Sequence, residues 1–156
     1  MISFFPIQKE TRLIHLSQEQ FFQNLTKYVK PVSNIISAEK SNLYLFNGVW
    51  NEEGFSISLR LKIANNFLPL INSEFMQSDD GILINLTYEL FPATKKLLVF
   101  WTVLTLLITL FFIGLYQAWL YGAISFGLCL VNYILTVENF KIQVRKSKRM
   151  LEKLLS

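Results

Sequence analysis

The chain has 156 residues, a length that suits one domain plus any membrane segment. One cysteine, Cys129, and one histidine, His15, exclude a disulfide framework and any multi-cysteine or multi-histidine zinc site within a single chain. Residues 1–96 carry nine basic and nine acidic side chains, so the net charge of +4 lies wholly in the last 19 residues. Those bases follow directly on a hydrophobic segment, which reads as juxtamembrane placement, and no nucleic-acid partner is expected.

The opening MISFFPIQKETR has neither a basic n-region nor a long apolar core. No secretory signal peptide is expected, and residues 1–96 should stay on the side where they are made. Stretches 2–7 and 11–16 offer one or two strands. SQEQFFQNLTKYVK (17–30) opens with Ser17 and has Gln20 three residues on, the capping-box pattern. Phe21, Leu25, Tyr28 and Val29 then recur at helical spacing, Phe22 broadens the stripe, and Pro31 ends it.

The next segments are β in character. FSISLRLKI (55–63) alternates strictly, with Phe55, Ile57, Leu59, Leu61 and Ile63 on one face and Ser56, Ser58, Arg60 and Lys62 on the other. LYLFNGVW (43–50) precedes it across the turn NEEG (51–54). LINSEFMQ (70–77) and ILINLTYELF (82–91) follow, joined by SDDG (78–81), and Asp-Gly between apolar runs signals a hairpin. The expected fold class is α+β: a small cytoplasmic antiparallel meander over residues 1–95 with one packed helix, a two-layer sandwich. Tyr44, Phe46 and Trp50 share one side of their strand and are expected to form a second surface or to pack against N-terminal strands.

The F-x-G at Phe46–Gly48, Phe55 and Ile57, and then Asn66, Phe67, Pro69 and Ile71, resemble the pattern of a family of uncharacterised small bacterial membrane proteins. The chain departs from it at Ala64–Asn65, where the family has a basic residue before its Asn, and at Ser73, where it has Gly. The resemblance implies a β-rich N-terminal domain followed by a two-span hairpin, and implies no activity.

Residues 97–137 contain no Asp, Glu, Lys or Arg. At about 1.5 Å per residue these 41 residues would reach roughly 60 Å as one helix, twice the ~30 Å hydrocarbon thickness, so two spans are expected over 97–115 and 119–137. Tyr116, Gln117, Trp119 and Tyr121 cluster at the midpoint, and Trp101 lies near the opposite face; these aromatics suit the membrane–water interface as anchors. Lys95 and Lys96 flank the first span, bases follow the second, and the connecting turn is uncharged. The positive-inside rule therefore puts both termini in the cytoplasm. The Asn-Leu-Thr matches at 24–26 and 85–87 are then chance matches to the glycosylation pattern.

Thr102, Thr105 and Thr109 share one face of the first span; Ser125, Cys129, Asn132 and Thr136 share one face of the second. A hairpin centred on Gln117 would set Thr102 against Asn132, Thr105 against Cys129 and Thr109 against Ser125. With no ionisable group in either span, these small polar residues read as helix–helix contacts rather than a substrate path.

The tail, 138–156, continues the second span as a basic amphipathic helix with Phe140, Val144, Leu151, Leu154 and Leu155 on one side. That stripe can face anionic lipid, the N-terminal domain or a second copy. Lys95, Lys96, Lys141, Arg145, Lys146, Lys148 and Arg149 are the expected lipid-headgroup contacts.

No nucleotide-binding, nucleophile-elbow or metalloprotease motif occurs. Glu52–Glu53 and Asp79–Asp80 sit in expected turns, His15 reads as a strand residue, and Cys129 lies where a thiolate is costly. No enzymatic activity, metal or cofactor is expected. The sequence points to an integral membrane protein, of a bacterial cytoplasmic membrane as the resemblance implies, carrying a binding or scaffold module for lipid, an unidentified protein or another copy of itself. A small oligomeric channel, transporter or holin-like subunit is the alternative.

Overall fold

The computed structural model describes residues 4–14, 16–31, 44–61, 65–78 and 81–155. His15, Lys62, Ile63, Ala64, Asp79 and Asp80 lie outside them, as do parts of the expected strands at 2–7 and 43–50. Six strands and three helices follow in the order β1 (Ile7–Ile14), α1 (Gln18–Tyr28), β2 (Val29–Pro31), β3 (Phe46–Trp50), β4 (Phe55–Leu59), β5 (Pro69–Ser78), β6 (Gly81–Leu90), α2 (Pro92–Gly114) and α3 (Trp119–Leu155).

The expected meander is present as β3–β4–β5–β6, every neighbour antiparallel. The sheet is larger than the meander and mixed, with order β1-β6-β5-β4-β3-β2. N-terminal residues supply β1, which pairs antiparallel with β6 from Ile7↔Glu89 to Ile14↔Ile82. At the other edge β2 runs parallel to β3. Helix α1 starts on the expected capping box, Ser17 and Gln20 exchanging bonds of 3.3 Å. It stops at Tyr28, earlier than Pro31, because Pro31 disfavours helical backbone at Lys30 and the chain turns extended at Val29. A proline on an edge strand costs no ladder bond.

Register assigns the faces. Phe46 opposes Leu59, Gly48 opposes Ile57 and Trp50 opposes Phe55. Phe46 and Trp50 therefore do not form a separate surface: Phe46 is fully buried in the main core and Trp50 packs against it, while Tyr44 precedes the strand. The approach at Gly48 is so close that a Cβ there would sit 2.2 Å from the Ser56 carbonyl oxygen. Ser73 accepts the Phe55 amide on its hydroxyl at 2.8 Å and so fixes the start of β4.

Two helices share the apolar face of the sheet. Phe21 and Leu25 of α1 are fully buried there, and so are Val144, Leu151 and Leu154 of α3, with Phe140 nearly so. Burying an aliphatic or aromatic side chain of this size contributes about 1.5–3 kcal/mol each, so the tail of α3 is part of the core. Asn24 Nδ2 donates to the Leu154 carbonyl at 3.2 Å and joins the two helices at their far end.

Candidate functional site

The feature that links all parts of the chain is one stripe along α3. Gly122, Ser125, Cys129, Thr136, Phe140, Gln143, Val144, Ser147, Leu151 and Leu154 are its buried residues. The steps of three and four keep one side of the helix inward over its whole length. Its first part faces α2 and its last part faces the sheet. Helix α3 is continuous across the change, so the hairpin and the domain share one rigid rod.

Both α2 and α3 contain windows long and apolar enough to cross a membrane, and only 11% and 22% of those windows are buried. A soluble core helix would be mostly buried. Here Phe100, Leu107, Leu110, Leu128 and Ile134 point outward. An exposed apolar surface of this extent marks an interaction with lipid or protein. Trp101, Tyr116, Trp119 and Tyr121 are all exposed. Tyr116 rests on Phe111 and Tyr121 on Phe112, with ring centroids 5.2 and 5.6 Å apart.

The helices meet on the small polar residues. Ser125 Oγ donates to the Thr105 carbonyl at 3.1 Å, an oxygen that points along α2 toward Thr109. Gly122 faces the end of α2, where a Cβ would be 2.4 Å from Ile113. Gln117 adopts a left-handed φ of 50°, and the Ala118 amide reaches back to the Phe112 carbonyl at 3.0 Å. Residues of the turn thus cap α2 instead of dividing evenly between the helices. Asn132 is exposed and does not meet Thr102 or Thr105. It lies at the rim of the buried stripe, roughly 60° from its centre at 100° per residue, and Thr136 occupies the seam. Thr102, Thr105, Thr109 and Thr136 each donate to a carbonyl one turn earlier in their own helix, at 2.8–2.9 Å. Their hydroxyls are satisfied locally, so their role at the seam is small size and close approach.

Below the hairpin, charge fixes the tail. Glu10 on β1 accepts from Lys148 Nζ, from Tyr88 Oη at 2.9 Å and from Arg12 Nε at 3.0 Å. Arg12 also approaches Glu152 at 4.0 Å. Burial alone would raise the Glu10 carboxyl. The bonds from Lys148 and Tyr88 and the charges of Arg12 and Lys148 outweigh it and hold the group below its ordinary range. Burial, and then donation to Glu10, push the Tyr88 hydroxyl up. A second chain of contacts secures α2: Lys95 Nζ donates to Glu89 at 2.5 Å, Glu89 accepts from Asn72 at 2.8 Å, and Asn72 accepts from Ser56 at 2.7 Å.

These contacts divide the expected headgroup bases. Lys95 and Lys148 are engaged by Glu89 and Glu10, and Lys141 pairs with Glu138 at 2.8 Å while staying half exposed. Lys96, Arg145, Lys146 and Arg149 are exposed, and Lys153 joins them on the outward side of α3. The Glu10 cluster escaped sequence reasoning because Lys148 is 138 residues from its partner. The available signal was the acid–base pair Glu10 and Arg12 on the side of β1 that ends in buried Ile14.

At the hairpin end of the domain, the N-terminal residues run up beside α3. Tyr133 Oη donates to the Phe4 carbonyl at 2.9 Å, and the Phe5 ring lies 5.9 Å from Lys95 Nζ. Among the described residues no group of acidic, cysteine or histidine side chains is arranged to hold a metal ion. Comparison with protein-family models, with curated proteins and with solved structures finds no match to this chain.

Proposed function

We propose that this chain is an integral membrane protein that holds a cytoplasmic binding module against the membrane on a two-span hairpin, with both termini cytoplasmic, and that its role is non-enzymatic. The observation that carries this reading is the single buried stripe of α3, which faces α2 among exposed apolar residues and then faces the sheet. A hairpin joined to its domain by a continuous helix positions that domain at a fixed height and orientation. A flexible tether would not. The charge distribution fits the cytoplasmic side of a bacterial inner membrane, and the family resemblance suggests the same layout.

Lys141 is about 6 Å along the helix from Val137, and Arg145 and Lys146 about 12–14 Å. They lie within the headgroup layer or within one Debye length of it. With Lys96 they form the proposed lipid-headgroup contact. Arg149 and Lys153 project further from the membrane, on the outward side of α3, and suit an acidic protein partner or a second copy.

Two measurements on purified, reconstituted protein test this reading. The protein should resist alkaline extraction from membranes, and proteoliposomes carrying it should stay sealed to ions and small dyes. Extraction at alkaline pH contradicts the anchor. Protein-dependent leakage contradicts the binding-module reading and favours the oligomeric channel.

A further inference from the structure

The face of the sheet that α1 and α3 do not cover holds a pocket of about 490 Å³. This is within the range of small-ligand sites, roughly 300–1,000 Å³. Its wall is formed by Val49, Ser58, Leu61, Leu68, Leu70 and Phe91. Phe91 immediately precedes α2, and Leu68 closes a turn on the Asn65 carbonyl. That turn is fastened to the first turn of α2, Thr94 Oγ1 donating to the Asn66 carbonyl at 2.8 Å. One end of the pocket is therefore apolar and adjoins the start of the first candidate span. The other end is polar, with Asn47 and Ser56 beside Ser58.

Ser58 is the second, independent observation. It is 9% exposed, and its hydroxyl is shielded from solvent with no hydrogen-bond partner among the described residues. An unpaired buried hydroxyl is costly and is rare in a folded protein. A ligand acceptor placed in the pocket would satisfy it.

We infer that this pocket binds a neutral single-chain lipid of the monoacylglycerol type, drawn from the adjoining leaflet. The head, with its ester carbonyl accepting from Ser58, lies at the polar end. The alkyl chain leaves across Leu68, Leu61 and Phe91 toward the bilayer. The size of the pocket suits one chain rather than two, and among the described residues that line it no side chain is charged, which disfavours an anionic head. The inference rests on the membrane-anchored reading and gives the proposed binding module a ligand class.

Full-length protein reconstituted in liposomes with a photoreactive monoacylglycerol tests it, cross-links being mapped by peptide mass spectrometry. Cross-links are expected in the segments around Ser58, Leu68 and Phe91 as well as in α2 and α3, and unlabelled monoacylglycerol should compete away the first set. Ser58→Ala should lower pocket labelling about fivefold, the scale of one hydrogen bond, with span labelling unchanged. Leu70→Phe, which fills the pocket, should do the same. A photoreactive phosphatidylcholine and a photoreactive fatty acid should label only the spans. Monoacylglycerol labelling confined to the spans overturns the pocket while leaving the anchor intact. Equal pocket labelling by the phospholipid or the fatty acid, or unchanged pocket labelling in both variants, also overturns it. Absence of labelling in the spans removes the membrane reading itself, and the lipid source with it.

Discussion

Glu10 and Lys148 form an ion pair between the first strand and the last helix, with the Tyr88 hydroxyl and Arg12 on the same carboxylate. Three donors from three elements thus converge on one oxygen pair at the boundary between sheet and tail. Both charged side chains are about one-fifth exposed, enough to keep some solvent screening and too little for either to lose its partner freely. Glu10→Gln should destabilise the detergent-solubilised protein by about 1–2 kcal/mol, the range for breaking a partly buried charged hydrogen bond. Lys148→Met should cost about as much in the parent and much less in the Glu10→Gln background, where Tyr88 and Arg12 still have an oxygen acceptor. Thermal unfolding of the two single variants, the double variant and the parent gives the comparison. Additive losses would mean that the pair does not couple strand and helix.

The same carboxylate predicts a pH dependence. Glu10 is held below its ordinary range in the folded protein. A depressed carboxyl stabilises the fold above the unfolded-state value, about 4.3 for a glutamate, and that contribution is lost as pH falls through the folded value. The difference in melting temperature between the parent and Glu10→Gln should therefore be full at neutral pH and shrink below about pH 4. A difference that stays constant to pH 3 would assign the effect of the substitution to packing.

The hairpin register is open to disulfide mapping. In a Cys129→Ala background, Thr105→Cys with Ser125→Cys should cross-link readily in membranes, since Ser125 Oγ touches the Thr105 carbonyl. Thr102→Cys with Asn132→Cys should not, because Asn132 is exposed. The reverse result would contradict this seam. Gly122→Leu should loosen the hairpin more than Ser125→Ala, since a side chain at 122 meets Ile113. About 2–3 kcal/mol is expected for that overpacking, against about 1 kcal/mol or less for the lost hydrogen bond.

Ser58 allows a prediction whose sign is unusual. In lipid-free detergent, Ser58→Ala should leave the melting temperature unchanged or raise it, because it removes a buried hydroxyl without a partner. A clear loss of stability would show that the hydroxyl is already satisfied in the unliganded protein.

Much of the architecture is legible in the residues, and the failures have definite causes. Strict alternation in β4 and the turn chemistry before β6 make the meander readable, because a half-buried strand has period two and a tight turn needs few residue types. The capping box at Ser17 is legible for the same local reason. Strand β2 is not: three residues ending in proline carry no periodic signal, and only pairing with β3 makes them a strand. The stripe in the tail is visible, but a stripe does not name its partner, and the sheet takes it here. Lys148 looks like one more base in a charged run because its acid lies at the opposite end of the chain. The hairpin seam is readable as a set of small polar residues, whereas the exposure of Asn132 at its rim depends on how α3 is rotated about its axis, which residue spacing alone leaves open.

The central claim, a hairpin that returns the chain to the side of its domain, is tested most directly by sided cysteine labelling in intact cells. In the Cys129→Ala background, Gln117→Cys should react with a membrane-impermeant reagent from outside. Lys153→Cys should react only after the membrane is opened. Labelling of Lys153→Cys from outside in intact cells, with Gln117→Cys protected, would contradict the account.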